Sequence, residues 1–198
     1  MEVAEQTITT NTSNIKVQKR DGRLEPLDID KIHFVVEEAC EGLTGVSSSQ
    51  IEINANIQFY DGITTKDIQH VLVKSANDLI SLENPNYHYA AARLLSYDVR
   101  KEAHGQYEYI PLLKLILRNI KLGVYDRTIV EKYHKSEIKK LNTWIKRDRD
   151  LDFTYAGLRQ VVDKYLVQDR STGELYETPQ DMYTVSYTHL TLPTRKLV

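Results

Sequence analysis

Apolar residues between positions 28 and 105 recur at intervals of three and four in four separate segments, a spacing typical of helices that bury one face. The first segment can begin at Asp28 or Asp30 and end at Gly42 or Gly45, because aspartate caps helix starts and glycine terminates helices. Each of the other three segments follows a residue or sequence that can start a helix: serine, threonine or Asn-Pro-Asn. These three helices are predicted at about 47–60, 64–79 and 86–103.

A short β-hairpin is predicted in front of these helices, at about 15–27. Ile15 and Val17 alternate with polar residues, as in a strand that buries one face. The dipeptide Asp21-Gly22 then favours a two-residue type I′ turn, because both central residues of that turn have positive φ. We therefore expect residues 15–105 to form one domain, a small hairpin over four helices.

A second region, residues 106–184, is also predicted to be mainly helical. Helical spacing predicts helices at three places: after Pro111, from Ser136 and near 154–164. A second β-hairpin is expected at about 165–177, where a glycine is available for the left-handed position of the turn. Thr178-Pro179 is typical of a helix start, but no native helical pattern follows it, so no helix is predicted there. The predicted fold class is mainly α, with two small hairpins.

Composition excludes several classes of function. With 26 Lys and Arg against 28 Asp and Glu, the net charge is −2, whereas nucleic-acid-binding domains normally carry a basic excess. A single cysteine, Cys40, excludes a disulfide scaffold, a four-cysteine zinc site and a Cys-x-x-Cys redox pair. No apolar run approaches the roughly 18 residues of a spanning helix. We expect a soluble, cytoplasmic chain without nucleic-acid or membrane partners, and a flexible arm at 1–14.

Cationic side chains from separate elements are expected to meet if the hairpin folds over the helices. Lys19 and Arg20 lie at the hairpin tip, Lys31 in the first turn of the first helix, and Lys101 near the end of the fourth. Such cations bind phosphates through charge-assisted hydrogen bonds, and helix N-termini add amide donors. The domain is therefore a candidate for binding a nucleoside triphosphate. The alternative is a ligand-free helical interaction module, since charges at hairpins and helix starts are commonly only solvated.

Ordered motifs across residues 15–184 resemble two known protein segments. The first set resembles an ATP-cone domain, and the second resembles the amino-terminal portion of the large subunit of class I ribonucleoside-diphosphate reductase. The first set is Val17-Gln18-Lys19-Arg20-Asp21-Gly22, Leu27-Asp28-Ile29-Asp30-Lys31-Ile32, Gln58-Phe59-Tyr60-Asp61-Gly62-Ile63 and Ala91-Ala92-Arg93-Leu94-Leu95 with Arg100-Lys101. The second set is Gly123-Val124-Tyr125-Asp126, Asp148-Arg149-Asp150, Phe153-Thr154-Tyr155-Ala156 and Lys164-Tyr165-Leu166-Val167-Gln168 with Thr172-Gly173-Glu174.

The ATP-cone resemblance implies an allosteric activity site, at which ATP switches the reductase on and dATP switches it off, with Mg²⁺ accompanying the nucleotide. Gln69 stands where well-known bacterial relatives have a nucleotide-contacting histidine, and Asp28 replaces an asparagine. By resemblance, phosphates would face Lys19, Arg20, Lys31, Thr65 and Lys101; adenine or ribose would face Glu25 and Asp28; and Val17 and Ile32 would pack on the base. With Gln69 these residues make up the implied site.

The reductase resemblance implies an oxidoreductase that depends on thioredoxin or glutaredoxin and assembles with other large subunits and with radical-bearing small subunits. Its chemistry uses a thiyl radical and a redox-active cysteine pair in a downstream barrel. Because Cys40 alone cannot supply these roles, and its position in the apolar stripe of the first helix predicts a buried residue, we expect this polypeptide to bind nucleotide and catalyse nothing. A nucleotide-responsive repressor is excluded, since the resembling repressors carry a four-cysteine zinc ribbon.

The last residues depart from this resemblance. The string from Val185 to Thr194 corresponds to the translation of a transposase-type sequencing adapter, so residues 185–198 are interpreted as non-native. The implied reductase barrel would normally pack on residues 106–184. We therefore also expect exposed apolar surface and a tendency to aggregate in that region.

Overall fold

A computed structural model describes the backbone of residues 15–190 and the side chains of residues 15–186. The arm predicted at 1–14 and the end of the tail lie outside these residues. The elements are β1 (Lys16–Gln18), β2 (Leu24–Pro26), α1 (Ile29–Cys40), α2 (Ser48–Asn56), β3 (Ile63–Thr64), α3 (Thr65–Asp78), α4 (Tyr87–His104), α5 (Leu112–Lys121), α6 (Thr128–Lys132), α7 (Lys135–Asn142), a 3₁₀ helix (Arg147–Asp152), α8 (Tyr155–Lys164) and α9 (Pro179–Leu190). The mainly α fold class is confirmed.

The first hairpin is present, but the prediction of a two-residue type I′ turn is wrong. The Lys19 N–H donates to the Arg23 carbonyl, and the Gly22 N–H donates to the Lys19 carbonyl, so the loop contains three residues. Gly22 has a φ of 85°, and no other type of residue has positive φ among the described positions. A turn followed by one left-handed glycine is the usual three-residue solution, because only one position needs positive φ.

The hairpin belongs to a three-stranded mixed sheet in the order β2-β1-β3. Strand β3, which was not predicted, pairs in parallel with β1 and places Val17 opposite Ile63. The Gly62 N–H also donates to the Lys16 carbonyl, so the start of α3 is tied to the hairpin. The third strand therefore fixes the hairpin against the helices.

The predicted caps set the helix starts. Asp28 caps α1, where its Oδ1 accepts from the Lys31 N–H at 3.2 Å. Thr64 caps α3 and accepts from the Asp67 N–H at 3.0 Å. Helix α2 ends at Asn56, short of the predicted limit at residue 60.

Helix α4 lies at the centre of the first core. It packs against α1, α3 and α8, and its alanines at 90, 91 and 92 are fully buried, which allows close approach of the neighbouring helices. Leu158 of α8 is also fully buried in this core. A smaller second core lies among α5, α6 and α7.

Two predictions for the second region need correction. The second hairpin is replaced by a turn closed by one isolated antiparallel bridge, between Gln168 and Leu175, without strands of its own. A helix does follow Thr178: α9 extends from Pro179 to Leu190 and includes the first residues of the predicted non-native tail. Val185 packs into the second core, so an apolar partner supports this helix. The origin of the tail stays a prediction.

Large apolar side chains are exposed in the second region, but more of them are exposed within residues 15–105, so the expectation of an apolar surface specific to the second region stays a prediction. The large exposed side chains there include Leu117, Leu122, Trp144 and Tyr165. Cys40, expected to be buried, is only partly covered, and burial raises the pKa of its thiol to about 11.

A buried polar junction joins α4, the 3₁₀ helix and α9. The Asp181 carboxylate lies 3.0 Å from Nε2 of His104 and 2.7 Å from Nη2 of Arg147. Because Nδ1 of His104 accepts from the Ile110 N–H, its Nε2 carries the proton that is donated to Asp181. Thr178 donates to the same carboxylate through its N–H and its hydroxyl. Burial would raise the pKa of Asp181, but these cationic and hydrogen-bonding partners lower it to about 2.

Asp150 lies in the same junction with neither carboxylate oxygen hydrogen-bonded among the described residues. The groups around it are Gln180 and Asp181 of α9, Arg147 of its own segment and Arg100 of α4, and Tyr109 adjoins them. Burial raises the pKa of Asp150 to about 7, an effect that Gln180 and Arg147 offset only in part. The carboxyl group is therefore stabilised in its protonated form.

This raised pKa gives a pH-dependent prediction for Asp150→Asn. Between pH 4 and 7 the folded protein holds a proton that the unfolded chain has released, so this residue makes the protein less stable as the pH rises. Asp150→Asn should raise the free energy of unfolding by about 2–4 kcal/mol at pH 8 and by much less at pH 5. Urea unfolding at both pH values measures this difference. The exposed Asp152→Asn is the control, and an equal gain from Asp150→Asn at both pH values would contradict the assignment.

Candidate functional site

A cavity lies between the hairpin, the N-terminal turns of α1 and α3, and the end of α4. Its volume is about 590 Å³ including the open mouth. It brings together eight of the ten residues in the predicted site. The lining consists of Val17, Lys19, Pro26, Leu27, Asp28, Lys31, Ile32, Val35, Thr65, Ile68, Gln69, Leu72 and Lys101.

One wall of the cavity is apolar. Val17 and Ile32, both buried, face it from the hairpin and from α1. Ile68 and Leu72 extend the wall along α3 and were not predicted as site residues. Their signal was present in the sequence: Ile68 and Leu72 are four residues apart, so they lie on the same face of α3.

The other wall is cationic, with Lys19, Lys31 and Lys101 contributed by three separate elements. Nζ of Lys31 lies 2.8 Å from Asp28, and Nζ of Lys19 lies 3.2 Å from Glu25. The hydrogen bond with Lys31 lowers the pKa of Asp28. Two of the three ammonium groups are therefore paired with carboxylates.

Lys101 differs from the other two lysines because, within the described part of the chain, no carboxylate lies within 4.0 Å of its Nζ. Partial burial lowers its pKa, and the nearby positive charges of Arg20 and Lys19 add to that effect. A cation held beside other cations is electrostatically unfavourable. The site therefore favours an incoming anion at this position.

Arg20 and Glu25 were predicted as site residues but do not line the cavity. Arg20 donates from Nη1 to the Lys101 carbonyl at 3.3 Å, and its Nη2 lies 3.5 Å from Asp98. This contact links the hairpin tip to α4 at the edge of the site. Glu25 instead pairs with Lys19 and Arg23 at the rim of the hairpin, on the same face of the sheet as its cross-strand partner Val17.

Gln69 and Thr65 complete the polar lining, both from the first turns of α3. Nε2 of Gln69 donates to the Leu94 carbonyl at 2.7 Å, which fixes the amide and leaves its oxygen as the atom able to accept a hydrogen bond. His70, the neighbour of Gln69, is exposed, and its Nε2 lies 3.6 Å from the Asp98 carboxylate. Between residues 15 and 186, no group of three or more His, Cys, Asp or Glu side chains could hold a metal ion.

The model of the family described as "ATP cone domain" matches residues 15–102, the segment that contains the sheet, α1 to α3, most of α4 and the whole cavity. Residues 15–102 are an ATP-cone domain. The cavity lies between the β-sheet and the helical part of the ATP cone, so its eight predicted lining residues all belong to this domain. Within the described helices, none has the length and apolar composition needed to cross a bilayer.

Similarity to known proteins extends beyond the ATP cone. The chain is 47% identical over 170 residues to ribonucleoside-diphosphate reductase 1 subunit alpha of Escherichia coli K12, an alignment that covers 86% of this chain and 22% of that protein. The corresponding subunit of Haemophilus influenzae is 42% identical over 170 residues, with the same coverage. That of phage T4 is 42% identical over 168 residues, covering 84% of this chain and 22% of the relative. The chain thus spans about a fifth of the length of these relatives.

Proposed function

We propose that the ATP cone of this chain is an allosteric site for ATP and dATP, bound with Mg²⁺. The observation that carries this proposal is the cavity with one apolar and one cationic wall. An adenine ring fits against Val17 and Ile32, while a triphosphate carries the charge that Lys19, Lys31 and Lys101 attract. Family membership supports the same conclusion, because ATP cones are generally regulatory nucleotide-binding domains.

Residue roles follow from position around the cavity. Thr65 lies in the first turn of α3, where unpaired backbone N–H groups and the helix dipole favour a phosphate. Arg20 reaches the phosphates from the edge of the site after a small movement of the hairpin tip. Asp28 accepts a hydrogen bond from the adenine amino group or the ribose, and Glu25 acts from outside by holding Lys19.

A regulatory site must distinguish ATP from dATP, which differ by one ribose hydroxyl. Equal affinity for both nucleotides in every conformation would shift no equilibrium. The domain therefore needs two arrangements with different preferences. The tip of the hairpin, residues 19–23, is the part able to move, because Arg20 holds it to α4 through one exposed contact of 3.3 Å and one part-buried contact of 3.5 Å, both long for hydrogen bonds.

For the whole protein we propose the large subunit of a cytoplasmic ribonucleoside-diphosphate reductase, in which this segment regulates activity through assembly with small subunits and other large subunits. The similarity to reductase alpha subunits supports this placement. In this proposal, catalysis belongs to the portion of the reductase subunit that the relatives have and this chain does not match. The 198-residue chain is therefore expected to bind nucleotide without reducing it.

Isothermal titration calorimetry on the full chain tests the proposed nucleotide site. ATP and dATP, each with Mg²⁺, should bind saturably and compete with one another. Inorganic tripolyphosphate should displace them, but only at higher concentration, because it lacks the base that contacts the apolar wall. If neither nucleotide produces saturable heat, the ligand-free interaction module becomes the better description.

A further inference from the structure

Helix α5 carries apolar side chains both inside the second core and at its edge. Leu112, Leu115 and Ile116 are buried in the second core. Leu113 and Leu117, four residues apart, form a second stripe along the helix: Leu113 is half-buried at the edge of the core, and Leu117 is 44% exposed. This second stripe faces a groove between α5 and α7.

The groove has a volume of about 1260 Å³ including space open to solvent. Its floor is made by Pro111, Leu113 and Leu117. All its charged lining residues are basic: Lys114, Arg118 and Lys121 on α5, and Lys139 on α7. Within the described chain, none of the three lysines pairs with a carboxylate, in contrast to Lys19 and Lys31 of the ATP cone.

We propose that this groove binds an acidic amphipathic helix of a partner protein. Helix-in-groove recognition places apolar anchors of the ligand, three or four residues apart, on an apolar floor. Leu113 and Leu117 supply such a floor. Cations on both walls then match carboxylates that flank the anchors, and this complementarity selects an acidic ligand over a basic one.

Other anionic partners fit the groove less well. A nucleic acid presents phosphates and bases, and single-stranded forms are bound by stacking on aromatic side chains. No aromatic residue lines this groove among the described side chains. An anionic membrane needs a convex apolar face that can enter the lipid headgroups, whereas these leucines lie between two helices.

A second copy of this chain offers a competing occupant. Helix α1 has Phe34 exposed at 62%, with Glu37 and Glu41 on the same side of the helix. This acidic stripe could enter the groove of a neighbouring molecule. Such a contact would be heterologous and would make association depend on protein concentration, so ultracentrifugation distinguishes it from binding of a separate partner.

Fluorescence anisotropy on the full chain tests the proposal. The probe is a labelled synthetic helix with leucines at positions i and i+4 flanked by glutamates, and the matched probe has lysine at every glutamate position. We expect saturable binding of the acidic helix, at least about tenfold tighter than binding of the basic one. Leu117→Glu and the double variant Lys114→Glu/Lys121→Glu should each weaken binding about tenfold or more.

Matched controls separate the groove from general charge and hydrophobicity. Leu82→Glu changes a fully exposed leucine outside the groove, and Lys164→Glu changes an exposed lysine on α8; both should bind the acidic helix like the wild type. Circular dichroism checks that each variant is folded. The proposal is wrong if both probes bind equally or if the groove variants bind like the controls. It is also wrong if the wild type self-associates in ultracentrifugation and Phe34→Ser abolishes that self-association, because a second copy of the chain then occupies the groove.

Discussion

Replacing Lys101 with alanine should weaken ATP binding to the full chain by about tenfold or more. A charge-assisted hydrogen bond contributes roughly 1.5–3 kcal/mol, and 1.4 kcal/mol corresponds to a factor of ten in affinity. Lys101 should matter more than Lys31, because the Lys31 ammonium must first exchange its 2.8 Å contact with Asp28 for a contact with phosphate. Calorimetric titration of ATP into the wild type, Lys101→Ala and Lys31→Ala measures both differences.

Two further variants make this result interpretable. Lys74→Ala removes an exposed lysine from the same ATP cone, away from the cavity, and should leave the affinity unchanged. Lys101→Arg keeps the charge and should recover part of the affinity lost in Lys101→Ala. If Lys101→Ala binds ATP as tightly as Lys74→Ala does, the cavity is not the triphosphate site and the residue roles proposed above must be abandoned.

The ATP cone could be predicted well from sequence because its signals are local. Asp28 and Thr64 are capping residues followed by apolar residues at helical spacing, and each starts the helix that the pattern indicates. Once the helices and the hairpin are placed, Lys31, Thr65 and Lys101 sit at helix ends, which are the positions that can converge on one cavity. Eight of ten predicted site residues line it for this reason.

The errors arise where tertiary contacts decide local structure. Strand β3 has two residues, too few for a periodic signal, and exists because Ile63 pairs with Val17 of β1. The turn type follows from the pairing of Lys19 with Arg23, which a dipeptide preference cannot specify. Helix α9 lacks a strong apolar period but is held by Val185 and by the buried carboxylate of Asp181.

The partners of the charged side chains in the site could not be predicted from the sequence either. Glu25 and Arg20 lie next to the site, but Glu25 pairs with Lys19 and Arg23, and Arg20 donates to the Lys101 carbonyl. Several partners of similar energy compete for each exposed charge. Sequence therefore predicts which element carries a charged residue better than it predicts what that residue contacts.

Asp181→Ala should lower the free energy of unfolding at pH 7 by about 3–5 kcal/mol, because it leaves buried charged and polar partners, His104, Arg147 and Thr178, without their acceptor. The surface pair Arg159–Asp163, with a separation of 2.9 Å, provides a matched control. Asp163→Ala should cost less than about 1 kcal/mol.

The pH dependence of this loss identifies its cause. The pKa of Asp181 is lowered to about 2 in the folded protein, from an ordinary value of 3.8, so its ionised form contributes stability above pH 4, and that stability is lost as the pH falls towards 2. The difference between Asp181→Ala and the wild type in urea unfolding should therefore be largest from pH 5 to 7 and should shrink below pH 3. A deficit that stays constant down to pH 2 would mean that the alanine acts through lost packing rather than through the lost carboxylate, and the ion-paired junction would not be what holds α9 to the end of α4 and to the 3₁₀ helix.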